Sequence, residues 1–168
     1  TMVPKKNFHT LLPLVKDQPN LELVIAGRID DVGYYQMILD TAREMGISKK
    51  VNIVGPISEN EKSWYFNHCY AFAFPSTAEG FGLPVIEGFQ ARKPVITSNI
   101  SPMKEVAGDA ALLADPTSIA SIREQVIKLL SNQALQTELV AAGKEKVKQY
   151  QPGFIAEAYQ QLWSKFKN

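Results

Sequence analysis

Two glutamates, Glu79 and Glu87, stand eight positions apart and bracket a loop that holds two glycines and a proline. Gly80 and Gly82 allow a sharp turn and a close approach of the backbone to a ligand, and Pro84 suits the first turn of a helix. The amides just before this proline would be unpaired at the helix start, where the helix dipole also favours an anion. The sequence therefore predicts a diphosphate site with a carboxylate on each side to accept hydroxyls.

The elements that must position this loop follow an alternating pattern. Five short apolar runs are typical of strands buried on both faces of a parallel sheet; they are residues 21–27, 51–55, 71–75, 94–97 and 110–114. Helical stripes over 8–15 and 35–45 separate the first runs, and Ser58 with Glu61 forms a capping box that predicts a third helix. We expect an α/β fold with a Rossmann-like, doubly wound sheet that binds its ligand at the carboxyl ends of the strands.

Beyond Pro116 the sequence pattern is helical. Apolar residues recur at helical spacing over 119–130 and 135–147, and a last helix is predicted over 154–166. These are extra C-terminal helices on the predicted sheet. Among the aromatic residues, Trp64, Tyr65 and Trp163 are expected to pack in the core, whereas Phe81 is expected to face the ligand.

Composition narrows the class of protein. The chain has 168 residues, 45% of them hydrophobic, and a formal net charge of +1, which describes a single globular domain without the basic excess that sequence-independent nucleic-acid binding needs. The single cysteine, Cys69, excludes an intrachain disulfide and fits a reducing cytoplasm. No apolar run approaches the roughly 20 residues that span a bilayer, so we expect membrane contact at most peripherally, at the inner face.

With these residues in view, the chain resembles the carboxyl-terminal domain of retaining glycosyltransferases of the GT-B fold, the group 1 family. Five segments carry the resemblance in order: 3–7, 23–27, 54–58, 75–87 and 94–97. A softer likeness, over 105–111, is to mannosyltransferases of surface-polysaccharide assembly. The resemblance implies that residues 1–168 form one domain that binds a UDP- or GDP-sugar. The enzyme would transfer a hexose of mannose or glucose type to a saccharide or lipid-linked acceptor.

The resemblance also implies a role for each site residue. Glu79 would contact hydroxyls of the donor sugar, Glu87 would accept from the ribose, and Lys6 would offset charge on the departing nucleoside diphosphate. Arg28 could approach the phosphates or the acceptor, although a salt bridge to a neighbouring aspartate explains it at least as well. The remaining contacts would come from backbone: Gly80, Phe81, Gly82 and Leu83 around the distal phosphate, and Gly55, Pro56 and Ile57 around the nucleobase.

The leaving group is expected to be stabilised without a metal ion. Metal-assisted glycosyltransferases of the other common fold place an Asp-x-Asp motif on the diphosphate. Here Asp30 and Asp31 are adjacent, which is typical of a turn or a helix cap. We therefore expect no metal and no cofactor besides the donor, and assign the electrostatic work to Lys6, the loop amides and the helix dipole.

The chain departs from the family pattern at its start. The family begins this domain with a strand that ends in Gly-Arg, the arginine standing five positions before the lysine, and Thr1 occupies that position here. We expect this chain to lack that central strand, the arginine and the acceptor-binding domain, and so to transfer sugar poorly in isolation. Whether it is a fragment or a free-standing half stays open.

Two other functions were weighed. A non-catalytic nucleotide-sugar-binding or partner-docking module fits the missing arginine and the missing acceptor domain. A nicotinamide-dependent oxidoreductase of similar topology would need Gly-x-Gly-x-x-Gly between the first strand and helix, and the sequence has no such run.

Overall fold

The computed structural model describes residues 1–166, and within the last helix only the backbone of residues 152, 155 and 158. The strands are β1 (Leu23–Ala26), β2 (Val51–Gly55), β3 (Phe72–Phe74), β4 (Val95–Ser98) and β5 (Leu112–Ala114). The helices are α1 (Leu12–Asp17), α2 (Val32–Glu44), α3 (Glu59–His68), α4 (Leu83–Gln90), α5 (Met103–Ala107), α6 (Ile119–Leu130), α7 (Gln133–Lys148) and α8 (Pro152–Ser164). Each predicted strand and helix is present, and Pro4–Lys6 and Phe8–Leu11 form 3₁₀ turns before α1.

Every strand pairing is parallel. β1 pairs with β2, with Val24 opposite Asn52, and β3, β4 and β5 form a second ladder in that order, with Ala73 opposite Ile96. Helices follow the strands and cover them, because each strand must cross to a parallel neighbour through a helix. The predicted Rossmann-like α/β fold is confirmed, and its sheet is divided into two ladders.

The division between the ladders is an open cleft. All four residues of β1 and all three of β3 line a cavity of about 1040 Å³. The prediction that every strand is buried on both faces is therefore wrong for β1, where Val24 is 42% exposed, and right for β4, whose four residues are all buried. A strand is buried on both faces only where other elements cover both of them, and β1 borders the open cleft.

Separate apolar clusters stabilise the two sides of the cleft. On one side, Ile25 of β1 packs with Ile38 of α2. On the other, Val85 and Phe89 of α4 pack against Val95 of β4, and all three are at most 1% exposed. Burying side chains of this size stabilises the fold by about 1.5–3 kcal/mol each. The second cluster holds α4 firmly against the sheet.

Two aromatic predictions are wrong. Trp64 and Trp163 are 56% and 69% exposed, so neither packs in a core. Trp64 lies on the cleft and stacks on His68, with ring centroids 4.2 Å apart, and Trp163 lies on α8, whose described side chains are all exposed. Hydrophobicity alone does not tell an aromatic residue that lines an open face from one that fills a core. Along residues 1–166, no helix has the length and apolarity needed to cross a bilayer.

Candidate functional site

The loop of residues 80–83 turns into α4 at a glycine. Gly82 is the N-cap, with a left-handed φ of 93° that favours glycine, and Pro84 is the second helical residue. Gly80 does not adopt a left-handed φ, so the predicted need for glycine at the turn holds for Gly82 alone, while the space around Gly80 is open. Phe81 and Leu83 are 50% and 62% exposed on either side of the buried Gly82.

The amides of this loop are available to a ligand. Among the described residues, no hydrogen-bond acceptor is found for the N–H groups of Phe81, Gly82 and Leu83, whereas the N–H of Val85 already donates to the carbonyl of Gly82 at 2.9 Å. Unpaired donors at a helix start carry partial positive charge.

Lys6 and Glu79 form a largely buried ion pair beside this loop. The Nζ of Lys6 donates to Oε1 of Glu79 at 2.6 Å, and the two side chains are only 13% and 12% exposed. The ammonium also lies 5.0 Å from the centroid of the Phe74 ring, within the range of a cation–π contact. The sequence singled out both residues, and the structure brings them into direct contact.

Asn7, which the sequence analysis did not single out, fixes the position of Lys6. It is 4% exposed and adopts a left-handed φ of 62°, which asparagine tolerates better than most residues. Its Nδ2 donates to the carbonyls of Pro75 at 3.0 Å and Pro116 at 2.8 Å, and Thr77 N–H donates to the carbonyl of Lys5 at 2.8 Å. These bonds tie the segment that carries Lys6 to the chain leaving β3 and to the chain leaving β5.

Glu87, one turn into α4, is paired with a residue that sequence reasoning missed. The Nζ of Lys62 on α3 donates to Oε1 of Glu87 at 3.1 Å and lies 2.8 Å from Oε2 of Glu59. The hydrogen bonds to Glu59, and then to Glu87, raise the pKa of Lys62, so it is charged at neutral pH. The pair is more open than the first, with Lys62 32% and Glu87 40% exposed.

The loop of residues 55–57 has few free backbone N–H groups. Gly55 has a left-handed φ of 69°, and its carbonyl already accepts from Gly27 N–H at 2.7 Å. Pro56 has no N–H, so the free backbone donor of this loop is that of Ile57, for which no acceptor is found among the described residues. The capping box is confirmed: Ser58 and Glu61 exchange hydrogen bonds at the start of α3.

Arg28 forms the salt bridge to a neighbouring aspartate that the sequence predicts as an alternative to a phosphate contact. Its guanidinium is forked on the carboxylate of Asp30, one of the two contacts being 3.1 Å, and the side chain is 72% exposed. The hydrogen bond from Arg28 holds the pKa of Asp30 below its usual range. Asp31 caps α2 by accepting from Tyr34 N–H at 2.8 Å, as its position predicts.

The predicted residues line the cleft between the ladders or adjoin residues that line it. Those that line it are Lys6, Arg28, Pro56, Ile57, Pro84 and Glu87. Glu79 joins them through its contact with Lys6, and the loop of residues 80–83 through Pro84. Gly55 adjoins the lining residues of its own loop. Within the described residues, no group of three or more His, Cys, Asp or Glu side chains is arranged to hold a metal ion.

Comparison with known proteins decides the family. A model of the family "Glycosyl transferases group 1" matches residues 1–146. The chain belongs to this family. The predicted resemblance, including the GT-B fold, is therefore confirmed.

Relatives in the family include O-antigen chain mannosyltransferase B of Escherichia coli, 30% identical over 158 residues, which cover 89% of this chain and 40% of that protein. O-antigen chain mannosyltransferase RfbU of Salmonella typhimurium is 34% identical over 117 residues, which cover 67% of this chain and 32% of that protein. The chain thus spans about two fifths or less of the curated relatives it matches.

Solved structures share the fold at lower identity. HepE from Anabaena, solved in complex with UDP, superposes with a TM-score of 0.86 at 16% identity over 98% of this chain and 46% of its own. Sucrose-phosphate synthase from Thermosynechococcus elongatus gives a TM-score of 0.84 at 23% identity, over 98% of this chain and 43% of its own. This group 1 chain therefore has the fold of one part of larger glycosyltransferases.

Proposed function

We propose that this chain is the donor-binding half of a metal-independent retaining glycosyltransferase. It transfers a hexose from a UDP- or GDP-sugar to a saccharide or lipid-linked acceptor. The observation that carries the proposal is the start of α4, where unpaired amides lie beside the Lys6–Glu79 pair and Glu87 follows one turn later. Relatives named as mannosyltransferases support a mannose donor, and the complex of HepE with UDP-glucose supports a uridine and glucose alternative.

Lys6 can serve Glu79 and a diphosphate at the same time. An ammonium has three N–H donors, and Glu79 takes one of them, at 2.6 Å. The other two are free to meet phosphate oxygens, so the charge that builds on the leaving diphosphate finds a cation already held in place. In return, the contact orients Glu79, whose second oxygen accepts from hydroxyls of the donor sugar.

The remaining residues of the site contact different parts of the donor along the cleft. The amides of Phe81, Gly82 and Leu83 hold the distal phosphate, with Gly80 keeping the approach open. The nucleobase lies on the loop of residues 55–57, chiefly at the backbone of Ile57, and Glu87 accepts from the ribose. When its salt bridge to Asp30 breaks, Arg28 contacts the phosphates or the acceptor.

An extended segment completes the sheet between β1 and β3. Met2 already forms a parallel bridge with Ile29, donating its N–H to the carbonyl of Arg28. Continuing that ladder backward from Thr1 places a strand directly alongside β1, inside the cleft that β3 also lines. The acceptor is bound by a domain outside this chain, and the protein works in the cytoplasm, at most peripherally on the membrane.

Calorimetric titration of the full-length protein tests donor binding. UDP, GDP, UDP-glucose and GDP-mannose are titrated into the wild type and into Glu87→Ala. We expect at least one nucleotide to bind, with about tenfold weaker affinity in Glu87→Ala, because a hydrogen bond to a charged group is worth about 1.5–3 kcal/mol. Glu138→Ala, an exposed glutamate on α7, is the matched control and should bind as the wild type does. Negligible heat with all four ligands would refute the proposal.

Transfer assays separate the enzyme from the binding module. Full-length protein that binds a nucleotide sugar is incubated with saccharide and lipid-linked acceptors. Release of nucleoside diphosphate with retained anomeric configuration supports a retaining transferase. Binding without transfer to any acceptor would favour a non-catalytic module.

Hydrogen exchange of the full-length protein tests the added strand. Amides of β1 and β3 that point into the cleft should exchange slowly, because a paired strand protects them. Rapid exchange of both edges would show that nothing occupies the space between them.

A further inference from the structure

The start of α3, the helix that carries Lys62, determines the position of this lysine. The capping box between Ser58 and Glu61 fixes where α3 begins, with Ser58 N–H donating to Glu61 at 2.7 Å. Lys62 therefore lies in the first turn of α3, directly after the loop of residues 55–57. From there its ammonium crosses to α4 and meets Glu87 at 3.1 Å.

The contact with Lys62 occupies only one of the two carboxylate oxygens of Glu87. Lys62 donates to Oε1, and among the described residues no donor is found for Oε2 of Glu87. A carboxylate offers about four lone-pair positions, so one lysine contact restricts its rotamer without filling its capacity to accept. The carboxylate is 40% exposed and faces the cleft, where a ligand can reach it.

A second partner steadies the lysine itself. Glu59 holds the same ammonium at 2.8 Å from the solvent side, and Glu59 is 86% exposed. Glu59 is not among the residues that line the cleft. Lys62 therefore has one acid that anchors it and one acid that it presents to the cleft.

We propose that Lys62 is a positioning residue that holds Glu87 for the 2′- and 3′-hydroxyls of the donor ribose, and so sets the preference for ribonucleotides. This inference rests on the proposed function, since it assumes that a nucleoside diphosphate binds in the cleft. A free Glu87 side chain samples several rotamers, whereas one held at Oε1 meets the two hydroxyls at little entropic cost.

The test compares UDP and GDP with their 2′,3′-dideoxy analogues, by calorimetry on the full-length protein. The wild type should bind the ribonucleotide about tenfold more tightly than its dideoxy analogue, since the charged hydrogen bonds to Glu87 are lost in the analogue. In Lys62→Met this ratio should fall to about threefold or less. Lys62→Arg should recover most of it, and Lys144→Met, which removes an exposed lysine on α7, is the matched control and should keep the wild-type ratio.

Each contrary result has a distinct meaning. An unchanged ratio in Lys62→Met overturns the positioning role and leaves the proposed function intact. An equal loss of affinity for both nucleotides and for pyrophosphate shows a direct contact of Lys62 with phosphate, and also overturns it. A wild type that binds nucleotides without preferring ribose removes the role of Glu87. A wild type that binds neither nucleotide removes the proposed function and this inference together.

Discussion

The site contains two lysine–glutamate pairs that differ in burial. Lys6–Glu79 is 13% and 12% exposed and joins residues 73 positions apart, whereas Lys62–Glu87 is 32% and 40% exposed and joins neighbouring helices. Removing one member of a buried pair leaves a charge without compensation, while an exposed pair has water to replace the lost partner. The same two residue types therefore form a pair sealed inside the fold in one place and a pair that water and a ligand can reach in the other.

The largest expected effect is that of Lys6→Met, which leaves Glu79 as a buried carboxylate without its cation. We expect a loss of about 3 kcal/mol in the free energy of unfolding, measured by urea denaturation, because breaking a buried pair costs about 3–5 kcal/mol. The double variant Lys6→Met/Glu79→Leu should regain most of that stability, since two apolar residues need no partner, and should still fail to transfer sugar. A double variant as unstable as the single one would contradict this account of the buried pair.

Asn7→Ala should weaken the Lys6–Glu79 pair indirectly, because Asn7 holds the segment that carries Lys6 in place. Two buried carbonyls lose their donor and alanine must adopt the left-handed φ of 62°, so we expect about 2 kcal/mol of destabilisation. Affinity for the nucleotide-sugar donor should fall because Lys6 is displaced. The preference for the ribonucleotide over its 2′,3′-dideoxy analogue should stay as in the wild type. A change in that preference would show that the two pairs are coupled, and that the comparison between them is too simple.

Local chemistry made part of this site predictable from the sequence. Gly82 before Pro84 gives the start of α4, and Ser58 with Glu61 gives the start of α3, because caps depend on residues a few positions apart. The pairing of Lys62 with Glu87 spans 25 positions and two helices, and no local pattern reports it. The exposure of Trp64 was missed for a related reason, since the open cleft that it lines is a property of the whole sheet.

Gly82→Ala should disturb both pairs moderately, because Gly82 joins the loop that carries Glu79 to the helix that carries Glu87. A Cβ there would lie 3.8 Å from Met103, an ordinary contact, so the cost arises from the φ of 93° and should be about 1–2 kcal/mol. Gly80→Ala is the matched control two positions away, because Gly80 has open space around it and no left-handed φ. Its free energy of unfolding, measured by thermal unfolding, should stay within about 0.5 kcal/mol of the wild-type value. Equal effects of the two substitutions would remove the special role of Gly82.

The smallest expected effect on stability concerns the exposed pair. A double-mutant cycle with Lys62→Met and Glu87→Gln should give a coupling energy of about 0.5 kcal/mol at low salt, typical of exposed ion pairs. At about 1 M salt the Debye length falls to about 3 Å, so this coupling should vanish, while a cycle on Lys6 and Glu79 should keep most of its value because water and ions do not reach between them. Urea denaturation at the two salt concentrations measures both cycles. Equal salt dependence would mean that burial does not distinguish the pairs, and the contrast between a buried glutamate and a solvent-accessible one would have to be given up.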